Sequence, residues 1–406
     1  MVEGALDELR QRAQDLGRAE RWAELWQLVP QLREDTELWP GYWGPLSALA
    51  GRFLGLAEGR AVLDEVIAAG FHQPELMEPF FTAAFGADPD WALLKAVMAA
   101  NLPAPAVTLL DWPTITPTAP LELCRLPNGR EPELAARMPA VAASSWQTAR
   151  ELLRWVSTMW VHSDLHVDGT DGLEILDRVR GGERFACREY TLLLTQTLNA
   201  AGIPARQVNV FTRTAHAGFG GGHLVSEAWI DDLGAWVLLD GQNGLYWTDE
   251  DGTPLGTLAL QARFQAGGSR PHAVCLGAVV QEHDLQTWWG FFGDIRITGG
   301  AWGEQVVPIL GGAFIATPRL LRAGPEAYPD LSELAVSVAV IDGEPAVCPH
   351  SDHPFVTGFR VNDHDLAPGE AWPLPRSESG EHVVELAAVG RYGPLTVRRL
   401  RYRVAA

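Results

Sequence analysis

The chain has 406 residues, of which 47% are apolar, and a formal net charge of −20 at pH 7. This length predicts two to four domains, and the apolar content is high enough for folded cores and too high for a disordered chain. The acidic balance argues against nucleic acid and anionic membranes as partners, because both require a positive surface.

No apolar run approaches the ~18 residues of a membrane span, and the N-terminus is charged and amphipathic from the start. We therefore expect no membrane partner, no secretion signal and a cytoplasmic location. The four cysteines, Cys124, Cys187, Cys275 and Cys348, lie far apart and form no CxxC pair. That spacing fits neither a zinc site nor a disulfide framework, so we expect no metal and no cofactor.

Residues 1–101 are predicted to be entirely helical. Apolar positions recur at helical spacing, for example in RAERWAELWQLVPQL and EGRAVLDEVIAAG. No fixed period of the tetratricopeptide or ankyrin kind emerges. We predict an accessory helical module, with a surface that binds a protein partner as its functional alternative.

A proline-rich stretch between Pro103 and Pro120 predicts an extended entry segment into the central region. Two helices follow, one over WQTARELLRWVSTMW behind the capping residue Ser144 and one over GLEILDRVR behind Asp171. Each of these caps should accept hydrogen bonds from the first turn of its helix.

The polar segment HSDLH lies between those two helices and places His162 and His166 four positions apart. On a helix this spacing would put two metal ligands on one face. The surrounding residues are rich in Asp and Gly and lack an HExxH arrangement, so we predict that no metal binds here.

The segment GGERFACREYTLLLTQTLNAAG predicts a helix that begins at Cys187 and is ended by Gly202 and Pro204. We expect one apolar stripe of this helix to be buried. Cys187 falls in the first turn, where unpaired backbone N–H groups and the helix dipole favour a negative charge. This position lowers the pKa of a thiol, and the thiolate is the nucleophilic form. The same N–H groups can donate to an oxyanion.

A hairpin is predicted over HLVSEAWI and AWVLLDG, joined by the turn 231–234. A loop of two or four residues pairs Ile230 with Ala235. His223 and Asp240 then share one face as diagonal neighbours, roughly 7–8 Å apart at the backbone. The carboxylate could hold the imidazole in one tautomer and orientation, as a general base requires. A loop of odd length would place the two side chains on opposite faces.

The linked motifs GERFACREY, LNAAGIPARQV, GHLVSEAWI and WVLLDG resemble the core of the transglutaminase-like superfamily, over roughly residues 145–265. That family includes transglutaminases, bacterial protease-like members and peptide N-glycanases. The resemblance implies a papain/transglutaminase-like core, in which a helix packs on an antiparallel sheet. It implies Cys187 as nucleophile, His223 as base and Asp240 as the residue that orients the base. The substrate would be a protein or peptide, and the reaction would proceed through a thioester intermediate.

Several neighbouring residues have two interpretations. Glu227 either tunes the base or lies at the rim of the sheet. Trp155 and Trp160 are candidates, by position, for the second oxyanion donor that the family often takes from an upstream side chain, although both are expected in the core. The aromatic side chains of Trp288–Phe292 either line the cleft or pack against the sheet, and we favour packing.

From Leu331 the chain changes to short alternating runs separated by Gly and Pro, which predict an immunoglobulin-like β-sandwich over residues 331–406. In LTVRRLRYRV the apolar residues should face inward and the arginines outward. The complete prediction is an α+β protein with three parts: a helical accessory module (1–101), a transglutaminase-like core with its proline-rich entry segment (102–330) and the sandwich (331–406).

Two functions fit this sequence. The first is a cysteine hydrolase or acyltransferase that acts on an amide or ester carbonyl, with hydrolysis favoured. The second is a catalytically inactive scaffold that retains the fold and binds protein partners. The reactivity of Cys187 distinguishes them.

Overall fold

The computed structural model describes residues 3–71, 77–99, 107–111, 113, 121–167, 171–213, 221–277, 280–299, 305–308, 314–317, 319–341, 344–374 and 379–404. Most of the predicted proline-rich entry segment between Pro103 and Pro120 lies outside these residues. The described chain combines helices with antiparallel sheets, as predicted. None of its described helices has both the length and the apolarity to cross a membrane.

Helices occupy the N-terminal region, as the apolar periodicity predicts. They are Glu3–Arg18 (α1), Trp22–Gln27 (α2), Val29–Leu32 (α3), Gly44–Phe53 (α4), Ala57–Ala68 (α5), Glu78–Phe85 (α6) and Trp91–Ala99 (α7), with a π-helical turn at Trp39–Trp43. The strand Val107–Asp111 (β1) follows. Buried side chains of these helices, such as Phe81 and Phe85, belong to one continuous core that also contains C-terminal residues such as Val336 and Leu386. The helices therefore pack on the C-terminal strands.

The central region contains the helices Glu131–Ala135 (α8), Ser145–Ser157 (α9), Gly172–Arg180 (α10), Cys187–Ala200 (α11), Thr257–Gln265 (α12) and Glu282–Trp289 (α13). Its strands are Ala205–Phe211 (β2), Gly222–Ile230 (β3), Ala235–Leu239 (β4), Leu245–Thr248 (β5), His272–Cys275 (β6), Asp294–Gly299 (β7), Gln305–Pro308 (β8), Phe314–Thr317 (β9) and Arg319–Arg322 (β10). The main sheet has the order β10-β7-β2-β3-β4, with antiparallel neighbours throughout.

Both predicted helix caps are present. The Ser144 side chain accepts from the N–H of Gln147 at the start of α9, and Asp171 accepts from the N–H groups of Leu173 and Glu174 at the start of α10. Each cap satisfies N–H groups that have no partner inside the helix.

Helix α11 is the centre of the core. The sequence predicts one buried stripe, but every residue from Arg188 to Asn199 is buried. The reason is that α8, α9 and α10 pack on one side of α11 while β2 and β3 pack on the other. Polar side chains on the sheet side are satisfied by neighbours, since Thr195 and Ser226 hydrogen-bond through their hydroxyl oxygens at 2.9 Å. Gly202, with φ of 79°, follows the last turn and ends the helix, as predicted.

The β3–β4 hairpin has the predicted register. Ile230 pairs with Ala235 across a four-residue loop, and the pairing continues to Ser226 and Leu239. Asp240 follows directly and exchanges backbone hydrogen bonds with Leu245 instead of extending β4. The register places His223 and Asp240 at the same end of the hairpin.

The C-terminal region forms two antiparallel sheets. Its strands are Ala335–Ile341 (β11), Glu344–His350 (β12), Gly358–Val361 (β13), His364–Leu366 (β14), Trp372–Pro373 (β15), Gly380–Gly390 (β16) and Gly393–Val404 (β17). The sheet orders are β1-β17-β16-β13-β14 and β11-β12-β15. Strand β1 thus joins the C-terminal sheet, a pairing between residues almost 300 positions apart that local sequence pattern cannot reveal.

The alternation predicted for β17 is confirmed. Leu400, Tyr402 and Val404 are buried, and Arg399, Arg401 and Arg403, which alternate with them, face outward. Two of these arginines form ion pairs with the neighbouring strand β16, Arg399 with Glu385 and Arg403 with Glu381.

Candidate active site

The first turn of α11 is held by the segment that precedes α10. The N–H of Ala186 donates to the carbonyl of Leu165 (3.0 Å), and the N–H of Ser163 donates to the carbonyl of Phe185 (3.1 Å). Ala186 is the N-cap of α11 and has no side-chain acceptor, so no side-chain cap occupies the first-turn N–H groups. Cys187, the first helical residue, therefore lies at an uncapped and fixed helix N-terminus.

The structure brings Cys187, His223 and Asp240 together. The His223 Nε2 lies 2.9 Å from the Asp240 Oδ2, and both side chains are buried, with 9% and 3% of their surface exposed. The Cys187 thiol lies close enough to the His223 ring for each group to shift the pKa of the other. The structure therefore brings the three predicted residues into one cluster, in which His223 lies between the thiol and the carboxylate.

The electrostatics of Cys187, His223 and Asp240 favour a charged thiol. Burial would raise the pKa of Cys187, but the adjacent His223 ring with its charge, and the nearby N–H of Leu224, hold that pKa below its usual value. Burial would likewise lower the pKa of His223, but the charge and hydrogen bond of Asp240, followed by Cys187, raise it to about 10. The pair therefore favours thiolate and imidazolium over neutral thiol and imidazole.

The other cysteines differ from Cys187. Burial raises the pKa of Cys124 to about 12 and also raises the pKa of Cys275, although the Cys275 side chain is exposed. Neither residue has an imidazole partner among its interactions. Reactivity at neutral pH should therefore concentrate at Cys187, because the thiolate is the reactive form.

The family comparison covers these residues. The model of the transglutaminase-like superfamily matches residues 132–241, a range that contains Cys187, His223 and Asp240. Residues 132–241 form a transglutaminase-like core. The resemblance predicted from the sequence motifs is thereby confirmed.

Comparison with individual proteins adds distant similarity alone. No curated protein matches the chain. Among solved structures, that of a candidate cysteine protease from Cytophaga hutchinsonii is similar, with 13% identity and a TM-score of 0.23. The similarity covers 50% of this chain and 61% of that one, so the chain spans about three fifths of the length of that protein.

Glu227 lies inside the transglutaminase-like core with a structural partner. Its carboxylate is 3.2 Å from the guanidinium of Arg206 and accepts the N–H of Thr257 at 3.0 Å. The guanidinium is sandwiched between the rings of Trp236 and Tyr328, 4.4 and 4.3 Å from their centroids. Because Glu227 is fully buried, it does not lie at the rim of the sheet. Its contacts with Arg206 and Thr257 indicate a structural role and not one that tunes His223.

The upstream tryptophans are packed as the core interpretation predicts. The indole N–H of Trp160 donates to the carbonyl of Phe185 at 3.0 Å, and its ring stacks on Tyr190 at 4.0 Å. That N–H is therefore engaged and does not point to an oxyanion. Trp155 packs, partly buried, against the same core cluster. Backbone N–H groups of the first turn of α11 remain the oxyanion donors that the geometry supports.

The aromatic run after α12 divides between the two interpretations. Trp289 and Phe292 are buried against the sheet, as the packing interpretation predicts. Phe291 is half-buried, and its ring centroid lies 6.2 Å from that of His223. Phe291 therefore fits the cleft-lining interpretation of this aromatic run, whereas Trp289 and Phe292 fit the favoured packing interpretation.

The HSDLH segment is not helical, so helical spacing does not bring its histidines together. The His166 Nδ1 lies 3.2 Å from the carboxylate of Glu189, which is fully buried and also accepts the N–H of Val167. Through these contacts the segment is attached to α11 two residues beyond Cys187.

A groove of about 730 Å³ lies beside Tyr190 of α11 and Asn243. It is bordered by α9 and the turn after Asp240, and its lining includes Trp160, Tyr190, Gln242 and Asn243. Cys187 does not line it.

Asn243 is a polar contact of Asp240 that sequence reasoning missed. Its side-chain amide donates to the Asp240 Oδ2 at 2.8 Å, and its backbone N–H donates to Oδ1 at 3.0 Å. The signal was present in the sequence, because an Asx residue followed closely by Asn-Gly is typical of a turn that folds back on its own first side chain.

Proposed function

We propose that the protein is a cysteine hydrolase of the transglutaminase-like type, which cleaves an amide or ester through a thioester at Cys187. One observation supports this proposal: Cys187 at the start of α11 lies beside His223, which is hydrogen-bonded to Asp240, and in this arrangement the pKa of the thiol is lowered and that of the imidazole is raised. Shifts of this kind are typical of catalytic pairs.

In the proposed first step the Cys187 thiolate attacks the carbonyl carbon. The developing oxyanion accepts hydrogen bonds from N–H groups at the uncapped start of α11. The His223 imidazolium then gives its proton to the leaving amine or alcohol as the bond to that group breaks, and a thioester remains. Asp240 holds the ring through Nε2 and stabilises its positive charge throughout.

In the second step water attacks the thioester carbonyl. His223, now neutral, takes a proton from the water, and the thiolate leaves as the carboxylic acid forms. An amine in place of water would give acyl transfer by the same route. We propose hydrolysis as the principal reaction and a protein or peptide as the substrate, in a cytoplasmic setting.

The remaining regions are proposed as accessory parts. Residues 331–406 would form an immunoglobulin-like sandwich and residues 1–101 a helical module. The two regions share one cluster of buried apolar residues, which supports the proposal that they form a single accessory unit. Residues 102–330 would be the enzyme.

Alkylation with iodoacetamide tests the proposal without a known substrate. At pH 6.5 Cys187 should be modified faster than Cys275 in the same chain, as mass spectrometry of the two peptides can measure. Accessibility cannot produce this order, because Cys275 is the more exposed thiol. The preference should disappear in His223→Ala.

Acylation with p-nitrophenyl acetate tests the thioester. Cys187 should gain one acetyl group and then lose it, and Cys187→Ser should form no such thioester. If wild-type Cys187 reacts no faster than Cys275 with iodoacetamide and forms no thioester, the proposal is wrong and the scaffold interpretation is preferred.

A further inference from the structure

The carboxylate of Asp240 is held on both oxygens. Oδ2 accepts from His223 Nε2 (2.9 Å) and from the side-chain amide of Asn243 (2.8 Å), while Oδ1 accepts the backbone N–H of Asn243 (3.0 Å). Asn243 thus supplies two of these three donors. A buried carboxylate with one hydrogen bond would be costly and free to rotate, and these two donors remove both problems.

The turn that carries Asn243 is itself fixed. Asp240 and Leu245 exchange backbone hydrogen bonds of 2.9 and 3.3 Å across it. Gly244 has φ of 61°, and a Cβ at this position would lie 2.6 Å from the Ser157 hydroxyl oxygen. Gly241 is also close to its neighbours, since a Cβ there would lie 3.1 Å from the carbonyl oxygen of Tyr190. The turn is therefore pressed against α9 and α11, and Asn243 has a defined place relative to Cys187.

We propose that Asn243 is a positioning residue that sets the orientation of Asp240 and, through it, that of His223. This inference rests on the proposed function. The Asn243 amide shares Oδ2 with the ring, and the Asn243 backbone N–H binds Oδ1, so both oxygens are held while Oδ2 accepts from Nε2. Burial would raise the pKa of Asp240, but the charge and hydrogen bond of His223, followed by the two hydrogen bonds from Asn243, hold that pKa below its usual value.

The side-chain amide matters apart from the backbone N–H. In Asn243→Ala the N–H to Oδ1 remains and the bond to Oδ2 is lost, so the carboxylate can turn away from the ring. The thiolate–imidazolium pair then weakens, and iodoacetamide should alkylate Cys187 at pH 6 about tenfold more slowly, the amount expected for one hydrogen bond to a charged group. At pH 9.5, where an ordinary thiol is ionised, the rate should stay near that of the wild type.

Asn243→Asp gives a signature that a purely structural role would not. At pH 8 the introduced carboxylate faces Asp240 at hydrogen-bond distance, and two negative charges repel, so Cys187 should react more slowly than in Asn243→Ala. As the pH falls, the two carboxyl groups share one proton, and the introduced group can again donate to Oδ2. Relative to Asn243→Ala, the variant should therefore be slower at pH 8 and faster at pH 5.

Gln242→Ala is the matched control. Gln242 precedes Asn243 in the same turn and carries the same amide group, but its one hydrogen bond is a long one of 3.5 Å to the Asn243 Oδ1. Its alkylation profile should follow that of the wild type. Urea denaturation of each variant checks that the fold is retained.

The outcomes separate this inference from the function on which it rests. A wild-type protein that is reactive at pH 6, together with Asn243 variants whose profiles superimpose on it, overturns the role of Asn243 and leaves the proposed function standing. A wild-type Cys187 that reacts at pH 6 no faster than Cys275 overturns the proposed function, and the role of Asn243 with it. Crossing profiles for the Ala and Asp variants support the inference.

Discussion

Replacing Asp240 by Asn removes the negative charge and turns one acceptor oxygen into an NH2 group, which can no longer accept the backbone N–H of Asn243. Both oxygens of Asp240 accept hydrogen bonds, and the position of Oδ2 has two donors, His223 Nε2 and the Asn243 amide. The oxygen of the new amide should therefore take that position, and the ring should keep its hydrogen bond. What His223 loses is the negative charge beside it.

The size of this loss follows from the distances. Two unit charges about 4 Å apart interact by ~4 kcal/mol at an effective dielectric constant of about 20, which corresponds to roughly three pKa units. The charge of Asp240 is the leading contribution that raises the pKa of His223 to about 10 against the opposing effect of burial. Without that charge the ring should be neutral at pH 7, and Cys187 should lose its cationic partner. An ordinary thiol with a pKa of about 8.5 is roughly 3% ionised at pH 7.

The assay is alkylation of Cys187 by iodoacetamide between pH 5 and 10, in a Cys275→Ser background and with N-acetylcysteine as reference thiol. The wild type should react well below the pH at which the reference does, since the pKa of Cys187 is lowered. Asp240→Asn should react about 30-fold more slowly at pH 7 and should approach the wild-type rate above pH 9. Equal rates at pH 7, in a variant whose urea midpoint shows that it is folded, would refute the assignment of Asp240.

Three further variants test the support around the site. Arg206→Ala leaves the buried Glu227 carboxylate without its cation, so the free energy of unfolding measured in urea should fall by about 3–5 kcal/mol. The pH profile of Cys187 alkylation in the folded protein should stay unchanged. A shifted profile would mean that Glu227 does influence His223. Gly244→Ala places a residue with a Cβ at φ of 61° and against the Ser157 hydroxyl, so the free energy of unfolding should fall by about 1–2 kcal/mol. Adding Ser157→Ala should restore only the part of this loss that comes from the clash with Ser157. Asp171→Ala removes the acceptor for two N–H groups at the start of α10, so the free energy of unfolding should fall by about 1 kcal/mol with no effect on Cys187 alkylation. An unchanged midpoint of urea denaturation would exclude this cap as a source of stability.

The sequence alone was sufficient for the parts of the site that depend on local rules. Helical periodicity, with Gly202 and Pro204 as its end, put Cys187 at a helix N-terminus, and a helix start lowers a thiol pKa in any fold. An even loop length predicts the pairing of Ile230 with Ala235, which the structure confirms. With this pairing, the alternation of side chains along each strand places His223 and Asp240 on the same face of the hairpin, at the end away from the loop. Linked motifs in the right order were sufficient for the family resemblance, which the match over residues 132–241 confirms.

Other features depend on contacts between distant residues, which periodicity does not encode. The stripe predicted for α11 became burial on all sides because three helices cover the face turned away from the sheet. Arg206 and Glu227 pair inside the core, where only the antiparallel register of β2 and β3 brings them side by side. Strand β1 joins the last strand of the chain, and no local pattern names a partner that far away.

The sequence thus determined which residues could do the chemistry, because a helix start and a hairpin register are properties of short segments. Tertiary structure decided how those residues are held. The contact between His223 and Asp240 shifts their pKa values against the opposing effect of burial, and a turn pressed between two helices placed Asn243 on the carboxylate. Desolvation and orientation depend on what surrounds a side chain in three dimensions, and that surrounding comes from every part of the core at once.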